Sequence, residues 1–338
     1  MNRFRMVSTA VAGCLLFSGC EVPTDPPILE QRWIVPIEET TLSVDQLLPA
    51  GVSVSGNSFS VSMDPFSTGQ TLGAACGACA ALNGLTAPAP AFSTSFDTSE
   101  NLPADVTAAT ISNASIEIQI ANGFSFDPIA GGGSLTVTIS DGPSGAELGQ
   151  IIVDGATESL TAGATLMRTM SIGSASVGTA FFASVAIVSV GGQVALIDTS
   201  DQVTVTATIS SLLVTSATVN VSSQSVEFDP EPLDVENIDT QLIDRIQVAS
   251  LLLDIVNPFG ISVAGTINIG PTSKTLTIGS GATSSTSISY TNAELRMWLG
   301  QPNINFSGSG TASGGSITVS PGDEMTIQVT LDATIQIG

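Results

Sequence analysis

The chain has no histidine, 7 Lys and Arg against 30 Asp and Glu, one Tyr, two Trp and four Cys in 338 residues. Each shortage closes a class of function. Without imidazole there is no Ser-His-Asp triad, no Cys-His pair and no histidine ligand for a metal. With so few cations on a chain of formal charge −23, phosphate backbones are repelled rather than neutralised, which argues against nucleic acid as a partner. Only 11% of residues are charged and 5% aromatic, so the long unbranched side chains that favour helices are scarce. Ser, Thr, Gly and β-branched residues fill their place, a composition of strands and turns. The length suits two or three domains of roughly 100 to 200 residues each, and an all-β secreted class is expected.

Arg3 and Arg5 precede an uncharged stretch at residues 7–17, the order of a signal peptide and too short to span a bilayer. That stretch ends in Leu16-Phe17-Ser18-Gly19-Cys20, which resembles the lipobox of bacterial lipoproteins, with Phe17 where Leu is usual. The resemblance implies removal of residues 1–19 and a diacylglycerol on Cys20, whose amino group is acylated. Glu21 in the next position implies sorting to the outer membrane. An ordinary cleaved signal with an incidental Cys is the alternative. The lipid on Cys20 is the one covalent group expected, and the membrane is the partner it reaches; durable anchoring follows from about 0.8 kcal/mol per buried CH₂. Loss of Arg3 and Arg5 makes the mature chain more negative by two charges. Residues 20–36 hold Pro23, Pro26, Pro27 and Pro36 and read as an extended tether.

The mature chain carries an internal repeat. Residues 114–124 (ASIEIQIANGF) align without a gap on residues 249–259 (ASLLLDIVNPF), Gly163-Ala164-Thr165 on Gly281-Ala282-Thr283, Gly191-Gly192 on Gly314-Gly315, and residues 201–205 on 323–327. Within each copy apolar and polar residues alternate, as in Ile116, Ile118 and Ile120 against Glu117 and Gln119, the pattern of a half-buried strand. The expected organisation is an N-terminal β region at 37–110, one antiparallel β-sandwich at 111–220, an acidic linker at 221–247 and a second sandwich at 248–338. In the first region Ser43 and Gln46 have capping-box spacing for a short helix, and Val52, Val54, Phe59 and Val61 alternate as a hairpin. In the linker, Ile238, Leu242, Ile243 and Ile246 recur at helical spacing over 239–248. Its acids, Glu227, Asp229, Glu231, Asp234, Glu236, Asp239 and Asp244, lack the spacing of a calcium loop and read as a solvated face, with Ca²⁺ binding as the alternative. The 29 uncharged residues between Arg168 and Asp198 are interrupted by Ser, Gly and Thr, and read as buried strands rather than a membrane span.

The second copy, with Asn257-Pro258 at the end of an apolar strand and Phe259 after it, resembles the LEA type 2 (WHy) domain. In the first copy Asn122 and Phe124 keep their places while Gly123 replaces the proline. The resemblance implies tandem immunoglobulin-like sandwiches, structural roles for Asn122, Phe124, Asn257, Pro258 and Phe259, and no catalytic residues.

Two cysteines remain after the lipobox, Cys76 and Cys79. In an envelope setting such a pair is expected to close a disulfide; free thiols and a redox CxxC are the alternatives, the last without the βαβ pattern it needs. Zinc lacks ligands, so no metal is expected. No pair among the many carboxylates stands out for acid-base work. The function expected is that of a non-enzymatic, lipid-anchored envelope protein with a binding or structural role, its partner another envelope protein or an apolar ligand. Carriage of lipid or another apolar ligand is one alternative, and an Asp/Glu-dependent hydrolase a further one.

Overall fold

The computed structural model describes residues 29–236 and 238–337. Cys20, the lipobox and the first part of the tether lie outside the described residues. The described residues are mostly antiparallel sheet, as the composition predicts. It opens with β1 (Leu29–Ser43), a hairpin of β2 (Val52–Ser55) and β3 (Ser58–Val61), and β4 (Phe66–Thr71). A helical turn, α1 (Leu72–Ala75), leads to β5 (Thr86–Pro88), β6 (Phe92–Asn101) and β7 (Val106–Asn122). There follow β8 (Ser134–Asp141), β9 (Glu147–Asp154), β10 (Thr165–Ile172), β11 (Ala175–Val177) and β12 (Ala180–Ser189). A short β13 (Val194–Leu196) and the 20-residue β14 (Gln202–Val221) end this half. The remainder runs β15 (Gln224–Leu233), α2 (Thr240–Ile243), β16 (Ile246–Val256), β17 (Ser262–Ile269), β18 (Thr272–Ile278) and β19 (Thr283–Tyr290). It closes with α3 (Asn292–Leu295), β20 (Ile304–Ser313), β21 (Gly315–Val319) and β22 (Glu324–Ile337).

Two four-stranded layers, β4-β14-β7-β10 and β6-β12-β8-β9, face each other as one sandwich. The layers β1-β22-β16-β19 and β15-β20-β17-β18 form the other. Numbered within each sandwich, the strands take the same order: first, eighth, third and sixth in one layer, second, seventh, fourth and fifth in the other. That is the order of an eight-stranded jelly roll. It refines the immunoglobulin-like arrangement that the resemblance implied, in which seven strands divide four and three.

The sandwiches are not arranged one after the other. β1 pairs along its whole length with β22, from Leu29 opposite Ile337 to Ser43 opposite Glu324. It is the first strand of the sandwich that otherwise begins at β15, and everything from β2 to β14 is inserted behind it. The sandwich holding β1 is therefore split in sequence, and the other is an insert.

This corrects three boundaries. Residues 29–36 are not tether but the first half of β1; Pro36, which lacks an N–H, sits where the ladder slips by one residue between Pro36 and Glu38. Residues 37–110 are not one region, since they supply β1 to the split sandwich and β2 to β6 to the insert. The acidic linker is largely β15, whose Val226, Phe228 and Leu233 are buried while Glu227 faces solvent, so alternation spreads the acids over a strand surface. The helix expected at 239–248 is the single turn α2, because Ile246 already enters β16.

Each interior is filled by the alternating residues. Ile116, Ile118 and Ile120 meet Leu135, Val137 and Ile139 in the insert; Leu251, Leu253 and Ile255 meet Val263, Ile267 and Ile269 in the split sandwich, all of them buried. Each such side chain contributes about 1.5–3 kcal/mol. The uncharged run 169–197 contributes β12, with Phe181, Ala183, Val185 and Ile187 turned into the core. Among the described residues no helix is long and apolar enough to cross a membrane.

The two sandwiches are joined by β21, which leaves the split sandwich to pair with residues 217–221 of β14. Within the split sandwich, Gln46 in the turn after β1 holds β15, its amide donating to the Glu227 carbonyl and accepting from the Glu227 N–H at 2.9 and 2.7 Å. The capping box expected of Ser43 and Gln46 does not form for that reason; residues 44–47 make a 3₁₀ turn without a side-chain cap.

Candidate functional site

The two asparagines singled out by the repeat end equivalent strands, β7 and β16. Asn122 is 2% exposed and Asn257 1%. Asn122 Nδ2 donates to the carbonyls of Phe126, Leu160 and Thr161 at 2.9, 2.7 and 3.1 Å, and its Oδ1 accepts from the Phe124 N–H at 2.9 Å. Asn257 Nδ2 donates to Ile261 and Gly279 at 2.7 and 3.1 Å, while its Oδ1 has no partner. The backbone repeats the match, Asn122 N–H to the Ala164 carbonyl and Asn257 N–H to that of Ala282. Each asparagine thus stitches its strand end to the two loops beside it. Phe124 and Phe259 are buried, Phe124 stacking on Phe126 with ring centres 5.6 Å apart.

The exchange of proline for glycine has a local cause. Gly123 N–H donates to the Gln202 carbonyl at 2.9 Å, and a Cβ on it would come within 2.4 Å of that oxygen. Neither proline nor any residue with a side chain fits there, whereas Pro258 is exposed and meets no such strand.

Cys76 and Cys79 are joined by a disulfide and are both buried. The bridge ties α1 to the turn that follows. Thr71 caps α1 through the Ala74 N–H, and the Gly73 N–H donates to the Thr199 carbonyl. No βαβ frame surrounds the pair.

The split sandwich holds a polar cluster that spacing alone did not point to. Lys274 Nζ lies 2.6 Å from Glu294 and 5.1 Å from the centre of the Tyr290 ring, which meets Trp298 edge-on. Glu294 completes a capping box with Thr291. The Lys274 ammonium, followed by the Thr291 N–H and hydroxyl, holds the Glu294 carboxyl down to about 2. Burial, with Glu294 adding to it, pushes the Tyr290 phenol up. Trp298 is fully buried and Tyr290 nearly so, which makes them core residues rather than stacking surfaces.

The acids of β15 and its loop take separate duties. Asp239 caps α2 through the Gln241 N–H, and Asp244 pairs with Arg296. Among the described residues no three Cys, Asp or Glu converge in a way that could hold a metal. Two open clefts of about 530 and 520 Å³ occur, one between the sandwiches lined by Val44, Asp45, Val52, Asp323 and Glu324, the other on the outer face of β16 beside Glu39 and Asp254. In the first, Asp45 accepts from the Ser43 hydroxyl and Asp323 from the Ser320 N–H, so both carboxylates already serve their own turns.

No family model matches the chain, and no curated protein matches it. Among solved structures it is similar to a protein of Parabacteroides distasonis described as secreted, at 8% identity over 91% of this chain and 100% of that one, with a TM-score of 0.35. It is also similar to Broad Bean Stain Virus, at 11% identity over 86% and 94% with a TM-score of 0.21. PNGase F, a glycosylasparaginase from Flavobacterium meningosepticum, aligns at 13% identity over 81% and 100% with a TM-score of 0.20. Likenesses of this size carry no argument about activity.

Proposed function

We propose that the chain is a non-catalytic envelope lipoprotein, held by a lipid on Cys20 and presenting its two stacked sandwiches as a binding or structural module. The observation that carries this reading is the placement of β1. Leu29 follows Cys20 by nine residues, at most ~32 Å of chain, and the strand it opens is zipped to β22 over its whole length. A load on the anchor is borne by that ladder in shear. The anchor end of the split sandwich therefore stays near the bilayer, and the insert stands beyond it.

Carriage of an apolar ligand finds less support, since the uncharged run that would line a crevice supplies core side chains of β12 instead. Palmitate labelling of cells with and without globomycin tests the anchor. Label in the mature chain, lost in Cys20→Ser together with membrane fractionation, is the expected result; an unlabelled chain that is processed unchanged under globomycin overturns it.

A further inference from the structure

The two open clefts follow one another along the outer face of the sheet β1-β22-β16-β19. Glu324, Thr326 and Gln328 of β22 alternate with the buried Met325 and Ile327, so all three point away from the core. Across the strands Glu39, Gln328, Asp254 and Ser285 stand in one row, and Thr41, Thr326, Val256 and Thr283 in the next. Ser43 and Glu324 follow in the row nearest the insert. The first two rows floor the cleft of about 520 Å³, and the third opens into the cleft of about 530 Å³, where β2 supplies a wall. Val256 on the floor is 51% exposed and Val54 on the wall 40%.

The groove so formed carries apolar side chains and carboxylates without a cation. Glu39, Asp254 and Glu324 lie along it, with Asp45 and Asp323 at its insert end. Among the described residues the ion pairs are made by other acids, Asp332, Glu158, Glu294 and Asp244. These charges are spread rather than gathered. β22 separates Glu39 from Asp254 by roughly 10 Å, and Glu324 lies four residues, roughly 13 Å, further along the strand direction. No three of them converge on one point that a metal ion could occupy.

We infer that this groove binds an extended basic segment of a partner protein. The pattern of charge selects the occupant. A single ion meets one carboxylate at a time, a second copy of the chain brings its own net charge of −23, and a bilayer presents phosphates to the same acids. An extended peptide places residues i and i+4 roughly 13 Å apart on one face, so Lys or Arg at such positions reach separate carboxylates. The aliphatic stems of those side chains cover Val54 and Val256 while the charged heads stay at the acids. The inference rests on the binding role proposed above and not on the lipid at Cys20, so the anchor test and the one that follows can fail independently.

Fluorescence anisotropy of a labelled peptide of alternating Lys and Val, titrated with the full chain in nonionic detergent near physiological ionic strength, tests the proposal. Saturable binding is expected, and none for the same peptide with Glu in place of Lys. The double variant Glu324→Gln, Asp254→Asn should weaken binding about tenfold. Asp97→Asn, Glu147→Gln, which removes the same charge from exposed sites on the insert, should leave it unchanged. Carbodiimide should couple the bound peptide's lysines to Glu324, Asp254 or Glu39 and not to Glu147, as read by mass spectrometry of the wild-type chain; this reading stands should a variant misfold. Absence of saturable binding, an equal loss in both double variants, or coupling spread evenly over the exposed acids overturns the proposal. Displacement of the peptide by stoichiometric Ca²⁺ also overturns it, in favour of a metal site.

Discussion

The insert and the split sandwich have the same eight-strand order, yet one is continuous in sequence and the other depends on strands far apart in it, with 300 positions between the partners of the Arg32 to Asp332 ion pair. The insert can close every ladder of its two layers from residues 52–221, leaving only the β14–β21 pairing to the rest of the chain. The split sandwich lacks its first strand until β22, at the far end of the chain, is in place. Long-range pairing of this kind pays a loop-closure cost before any contact rewards it, so the two halves of one duplicated design differ in when and how firmly they form.

Deletion of residues 29–43 should break the comparison most strongly. It leaves the edge of β22 without its ladder partner and should abolish cooperative unfolding of the split sandwich while the insert keeps its own transition. Hydrogen exchange read by mass spectrometry checks this: protection lost over β16 to β22 and kept over β6 to β12 is expected, and equal loss in both would show that the insert is not autonomous.

The asparagine latches sharpen the comparison at the level of single residues. Asn122→Ala removes a fully bonded buried amide and strands the Phe126 and Leu160 carbonyls and the Phe124 N–H, at about 3 kcal/mol. Asn257→Ala removes a latch whose Oδ1 already lacks a partner, at about 1–2 kcal/mol. Denaturant melts of the two variants should rank in that order, and the reverse order would mean that the unpartnered oxygen conceals a contact.

The smallest effect is confined to the split sandwich and to acid. Glu294 is held near 2 in the folded state, chiefly by Lys274, against an ordinary value of 4.5. A carboxylate depressed in this way stabilises the fold fully above about pH 4.5 and loses that contribution as pH falls towards 2. Lys274→Met should flatten the fall in melting temperature across this window for the split sandwich and leave the insert's pH profile unchanged. An identical acid limb in both forms would remove Lys274 from the account.

Much of this was legible in the residues. Alternation at 116–120 and at 325–331 marked strands, the aligned Asn122 and Asn257 marked equivalent strand ends, and Val52 to Val61 marked the hairpin β2–β3. Helical spacing at 238–246 misled because four apolar residues at that interval also fit a turn leading into a strand, and Ile246 belongs to the strand. The Lys274, Glu294, Tyr290 and Trp298 cluster left no mark, since its members stand on three elements and at no fixed interval. The ribbon of β5 and β13 is a mixed case: the uncharged run 169–197 was visible, but that its last residues pair with residues 86–88 was not.

By itself the sequence determined that the chain is β, that one unit is duplicated, and where charge and histidine are missing, because these depend on side-chain types and on a period of two that any local window contains. Only the tertiary structure decided that residues 29–36 are strand rather than tether, that one sandwich is inserted into the other, and that the end of the uncharged run 169–197 pairs with residues 86–88. The ladder that joins β1 to β22 is made of backbone N–H and carbonyl groups, which every residue but proline carries alike, so nothing in either strand names its partner.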